Sequence, residues 1–174
     1  SIPVSDAASA TAAVDTLARS GVDFIKVYTQ LPRDAYFAVI AEARRVGLPV
    51  AGHVPADVSV LEAARAGQAS IEHLRDEIEP FCSPLDVDTC SQLAQSFRAN
   101  RTWQVPTLAV LHSKAYFDEP AIATDLRLRY LPAGLREEWL AERAGKLQRG
   151  TDYIASKRKR YADARWIAGF LSSA

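Results

Sequence analysis

The feature that most constrains this chain is a module written four times: a helical stretch, a residue suited to left-handed backbone, then a short apolar segment. The first copy is an Ala-rich helix over about Asp6 to Ser20, with Ser5 or Asp6 in position to cap it. Gly21 ends it, because glycine readily takes the left-handed conformation that closes a helix, and Val22 to Tyr28 follows. The second helix runs from about Asp34 to Val46, with Tyr36, Val39, Ile40, Ala43 and Val46 on one face. Gly47 and the segment Leu48 to His53 come next. The third runs from about Asp57 to Ala66, is ended by Gly67, and leads into Gln68 to His73. The fourth runs from about Asp86 to Ala99 with a stripe of Val87, Cys90, Leu93, Ala94 and Phe97. There Asn100 takes the place of the glycine before Trp103 to Leu108.

Strands alternating with helices of this length predict βαβ units and a parallel sheet. No Gly-rich phosphate loop follows any of the strands, which weakens an open dinucleotide-binding sheet. Lys26 stands five residues after its glycine, and His53 and His73 each stand six after theirs. Three successive strands thus carry a candidate ligand near their C-terminal ends, the end that holds the active site of (β/α)8 barrels. The expected fold is therefore α/β, a partial (β/α)8 TIM-like barrel. Residues 1–111 would form half of it. Residues 112–174 read as helical, with a Pro-punctuated insertion over Asp118 to Leu135 and a long helix from about Asp152 to Phe170. A whole barrel needs at least about 200 residues, and the chain contains no methionine. An incomplete or excised product is expected, poorly soluble or oligomeric through its unpaired strand edges.

Composition sharpens the choice of candidate residues. Of the 21 basic residues, sixteen are Arg and five are Lys, and Lys26 is the only lysine before Lys114. It lies in the most apolar strand. The 21 acidic residues bring the net charge to zero, which argues against a nucleic-acid footprint. No apolar run approaches the roughly 20 residues of a membrane-spanning helix. Cys82 and Cys90, in FCSPLDVDTC, read as a disulfide or as two buried thiols, and define no compartment.

Strand alternation puts Phe24, Lys26 and Tyr28 on one face and Ile25 and Val27 on the other. Ile25 and Val27 suit a surface packed under helices, so Lys26 is expected to point into the barrel. Taken alone, Lys26 reads first as a lysine reaching solvent or paired with a carboxylate elsewhere. Two histidines at matched offsets on the next two strands change that balance. Neutral imidazole is the commonest protein ligand for zinc-like ions, and the set favours a metal site. His112 has no such setting and reads as a helix-surface residue.

In this order, Ile25-Lys26-Val27, Gly52-His53-Val54-Pro55, Ser70-Ile71-Glu72-His73 and Val105-Pro106-Thr107-Leu108 resemble the amidohydrolase superfamily. The similarity is to its imidazolonepropionase- and prolidase-like branch, over about Ser5 to Leu111. The resemblance implies a distorted (β/α)8 barrel, of which this chain covers about strands four to seven, with one or two divalent metal ions, zinc first among them. It implies that Lys26 is carbamylated and bridges the metals, and that His53 and His73 bind one of them. The family's His-x-His pair on strand one and aspartate ending strand eight have no counterpart among the 174 residues.

The activity so implied is hydrolysis of C–N bonds in amides, peptides or cyclic amides, through a metal-activated hydroxide. A divalent ion lowers the pKa of bound water to about 7. A ligand shared by two cations must be anionic, which a carbamate is and an ammonium is not. Burial is expected to lower the lysine's pKa and supply the neutral amine that takes up carbon dioxide. Tyr28 shares the face of Lys26 and is expected to line the substrate pocket. Glu72 and Arg75 flank His73 as supporting residues, and Trp103 to Leu108 reads as a strand of plain core. Two other classes fit less well. An aldolase-like barrel with a Schiff base on Lys26 gives the histidines no task, and a non-catalytic fragment explains the absent ligands alone. The expected partners are a small amide or dipeptide-like substrate and further copies of the chain, with no nucleic acid and no membrane.

Overall fold

The computed structural model describes residues 2–74, 78, 82 and 86–174. The chain divides into two compact units, Ser1–Pro106 with Ile167–Ala174, and Thr107–Trp166. The first contains α1 (Ala7–Arg19), β1 (Ile25–Val27), α2 (Arg33–Arg45), β2 (Val50–Gly52), α3 (Val60–Ala66), β3 (Ser70–Glu72), α4 (Val87–Asn100) and β4 (Trp103–Val105). The four strands form one parallel sheet in the order β1-β2-β3-β4, so spatial order follows chain order. Parallel neighbours need a crossover, and here each crossover is a helix of the repeated module.

Local chemistry sets the helix limits. Asp6 caps α1 by accepting from the Ser9 backbone N–H, and the Ser9 hydroxyl returns the bond to the Asp6 backbone N–H. Ser59 and Glu62 make the same reciprocal box at α3. Gly21, Gly47 and Gly67 all have positive φ where the helices give way to the strands. At the fourth repeat the expectation was that Asn100 would take this role. The structure instead puts Arg101 in the left-handed region, φ 55°, and keeps Asn100 in the helix, its side-chain amide donating to the Ser96 carbonyl.

Among the described residues of this unit, the helices cover one face of the sheet. Ile25, Val27, Val50 and Ile71 are buried with the apolar stripes of α1 to α4: Val14, Tyr36, Val39, Ile40, Ala63, Leu93 and Phe97. Burial pushes the Tyr36 hydroxyl pKa up, and that hydroxyl donates to Gln68, whose amide donates in turn to the Gly52 and Ser70 carbonyls. On the opposite face Phe24, Tyr28, Trp103 and Val105 are exposed, Trp103 at 76%. The expectation of plain core for the fourth strand thus fails at Trp103 and Val105. The strands are three residues long, shorter than the apolar segments that contain them.

The second unit contains α5 (Leu108–Ala115), α6 (Pro120–Ala123), a 3-10 turn (Leu126–Tyr130) and α7 (Ala133–Leu147). It also includes most of α8 (Gly150–Ser173), whose last residues belong to the first unit. Arg143 donates to the Phe117 and Asp118 carbonyls, and Arg158 pairs with the Asp118 carboxylate at 2.7 Å. His112 is exposed on α5, with its ring edge-on to Tyr161. Among the described residues no helix is long and apolar enough to cross a membrane.

Candidate metal centre

Three strand ends meet on the uncovered side of the sheet. Register pairs Val27 with Gly52 and Gly52 with Ile71. The His53 backbone N–H continues this ladder by donating to the Val27 carbonyl at 3.0 Å, and that of His73 donates to the Val105 carbonyl at 2.8 Å. Two backbone positions make the convergence feasible. Gly52 sits at φ 119°, where a Cβ would lie 2.3 Å from the Val27 carbonyl oxygen. His73 is left-handed at φ 64°, an uncommon setting for a side chain that is consistent with a residue held for function.

The side chains form a continuous cluster. The His53 ring is 7% exposed and meets the His73 ring edge-on, with centroids 5.0 Å apart. Tyr28 stacks on His53, with ring centroids 5.3 Å apart, and the Lys26 ammonium lies 5.5 Å from the Tyr28 ring centroid. His53 Nδ1 is 3.1 Å from the Thr29 hydroxyl. Lys26 Nζ donates to Glu72 Oε2 at 2.5 Å, and that carboxylate oxygen is 3.9 Å from His73 Nε2. Lys26, His53, His73 and Tyr28 are therefore brought together. Glu72 joins them as the direct partner of Lys26, a role that spacing along the chain did not mark. Arg75 lies outside the described residues.

Electrostatics correct one expectation. The Glu72 hydrogen bond holds the Lys26 ammonium above the usual lysine range and outweighs the burial that acts in the opposite direction. The side chain is also about one-third exposed. In this geometry the Glu72 pairing opposes the lowering that burial alone would give Lys26.

The donor set fits a metal ion in part. Two imidazoles on one tetrahedral zinc, each nitrogen about 2.0–2.1 Å from it, have those nitrogens about 3.4 Å apart and ring centres roughly 5 Å apart. The His53–His73 spacing of 5.0 Å meets that requirement. Lys26 meets it only after leaving Glu72 and becoming an anion. Among the described residues no group of three or more His, Cys, Asp or Glu side chains is arranged to hold a metal ion. Elsewhere Cys82 and Cys90 are joined in a disulfide that links the segment after His73 to the first turn of α4.

These features define an α/β protein with two imidazoles and an ion-paired lysine gathered at the C-terminal ends of successive parallel strands. Among solved structures the chain is similar to bottromycin amidohydrolase, with a TM-score of 0.65 and 27% sequence identity. The likeness covers 92% of this chain and 37% of that one, so the chain spans little more than a third of its length. No protein-family model matches the sequence, and no curated protein matches it.

Proposed function

We propose that this chain carries part of the active site of a metal-dependent amidohydrolase that cleaves C–N bonds in small amides, dipeptides or cyclic amides. The observation that carries the reading is the 5.0 Å approach of the His53 and His73 rings beside Lys26. The likeness to a solved amidohydrolase supports the reaction class. In this reading His53 and His73 hold a divalent ion, most readily zinc, and a carbamate on Lys26 supplies the third ligand. Such an ion, when bound, polarises a carbonyl and lowers the pKa of water toward 7. Three protein ligands leave a fourth position open, as catalytic zinc sites require.

The other residues have distinct tasks. Tyr28, more than half exposed on the same face, offers an aromatic surface for a substrate side chain. Glu72 holds the Lys26 side chain in place, and its carboxylate is positioned to accept the proton the ammonium must lose before the amine can add carbon dioxide, the second proton, from the carbamic acid, going to solvent. Thr29 restrains the His53 ring through Nδ1.

The test is metal dependence in the protein whose gene encodes this chain. Chelation should abolish hydrolysis of a panel of dipeptides and cyclic amides, and zinc with bicarbonate should restore it. In the 174-residue chain, His53→Ala and His73→Ala should each remove zinc binding, which is expected to be weak even before substitution. Turnover that persisted after exhaustive metal removal would refute the metal reading.

A further inference from the structure

Of the three candidate ligands, His73 alone has a left-handed backbone, at φ 64°. Arg101 and Thr107, which share that conformation, stand at helix ends. His73 follows β3, and no described helix begins or ends at it. A side chain on such a backbone persists only where the surrounding structure over-determines it. The restraints on His73 can be traced residue by residue.

On its N-terminal side, the His73 backbone N–H donates to the Val105 carbonyl at 2.8 Å, which ties it to the end of β4. On its C-terminal side Leu74, Ile78 and Cys82 follow at intervals of four, each at 1% exposure or less. The Cys82 backbone N–H donates to the Ile78 carbonyl at 3.0 Å. Cys82 is bonded to Cys90, which is buried in the first turn of α4. From α4 the chain passes directly into β4, where the Thr102 N–H donates back to the Phe97 carbonyl. The path from His73 through the disulfide, α4 and β4 therefore returns to His73 as a closed ring. The bond cuts the eight positions between the cysteines out of that ring, and a shorter ring has fewer conformations to choose from.

We infer that the Cys82–Cys90 bond is a positioning device for His73. It holds the backbone in the left-handed conformation that sets the His73 ring 5.0 Å from that of His53. The two cysteines are positioning residues, since they act on the site only through the chain between them and His73. Once the bond is gone, His73 can relax to an ordinary backbone conformation, which turns its Cβ and weakens the N–H bond to Val105. The approach of the two imidazoles then depends on the oxidised state of a distant pair of sulfurs. For its effect on a metal ion the inference rests on the function proposed above. For the backbone of His73 it does not.

The test removes the bond with Cys82→Ala and Cys90→Ala together, which leaves no thiol to bind metal. Amide exchange is followed by NMR in the 174-residue chain without metal. In the intact chain the His73 amide should exchange as slowly as that of His53, whose bond to Val27 lies outside the ring. In the double variant it should exchange about tenfold or more faster relative to His53, as a local opening does. A merely structural bond would speed both amides alike. Gly47→Ala, which lies outside the ring, should leave the ratio unchanged. Zinc affinity should fall about tenfold or more in the double variant, as loss of a ligand-orienting contact does. An intact chain that bound no zinc would sink the metal reading and leave the exchange ratio to decide this one. Circular dichroism identifies a double variant that does not fold, and the intact chain then decides. An unchanged ratio in the folded variant, or a His73 amide far faster than His53 with the bond in place, would overturn the inference.

Discussion

Replacing Gly52 by alanine tests the geometry that brings His53 beside the Lys26 strand. The added Cβ would lie 2.3 Å from the Val27 carbonyl oxygen and 3.1 Å from the Val27 nitrogen, both backbone atoms that cannot swing aside. At φ 119° the new side chain is also strained whatever the space, at about 1–3 kcal/mol. Relieving the clash means parting β1 from β2, which weakens the His53 N–H bond to Val27, worth about 1 kcal/mol, and loosens the packing by a similar amount. The expected loss is about 3–5 kcal/mol, or roughly 10 °C in Tm for a chain of this size. Gly47→Ala is the control. Its φ is 76° but nothing lies within 4 Å of the added carbon, so it should cost about 1–2 kcal/mol. Guanidinium unfolding of the two variants, followed by circular dichroism, measures the difference. Zinc affinity should fall further in Gly52→Ala than in Gly47→Ala. Equal destabilisation by the two would refute the close-approach argument.

Three more outcomes are expected. Lys26→Ala and Lys26→Arg should weaken zinc binding alike, because arginine stays protonated and forms no carbamate. A short carboxylic acid should partly restore the alanine variant, whereas a structural lysine would tolerate arginine and ignore the acid. Serine at both Cys82 and Cys90 removes a bond that spans eight positions, and should cost about 2.5 kcal/mol by loop-closure entropy; unchanged stability in chemical denaturation would remove the bond from the account. Glu62 is held down at about 2 by Arg33 and Ser59. A folded-state pKa below the unfolded value stabilises fully above the ordinary 4.5, and that contribution is lost as pH falls toward 2. Glu62→Gln should therefore flatten the acid limb of the stability profile, and an unaltered limb would contradict it.

Much of the fold could be read from the repeated module, since helix stripes, capping residues and glycines are local signals. The Ile25 and Val27 alternation also marked correctly which face of β1 lies under helices. What escaped depends on register. Lys26 and Glu72 are 46 positions apart, and only the pairing of β1 with β2 and β2 with β3 brings them together. Lys26 consequently bears an ion pair where burial alone suggested a neutral amine. The exposure of Trp103 and Val105 was equally hidden, because apolar character in a strand does not say which of its faces the helices cover. Asn100 and Arg101 differ by one position because the Asn100 side chain bonds back to its own helix, which local propensity does not weigh.

The agreement between chain order and spatial order has a consequence for how the sheet is made. Strand partners lie 25, 19 and 33 positions apart, as Ile25 with Val50, Ala51 with Ser70, and Ser70 with Trp103. Each pairing needs only one short crossover to be in place, so the entropy of closing each loop is small and comparable at every step. A chain emerging from its N-terminus can add strands one at a time, each onto an edge just completed. The Cys82–Cys90 bond lies wholly within the third crossover, and so can form before β4 arrives. Assembly proceeds by accretion, and at every stage the growing edge is the sticky one.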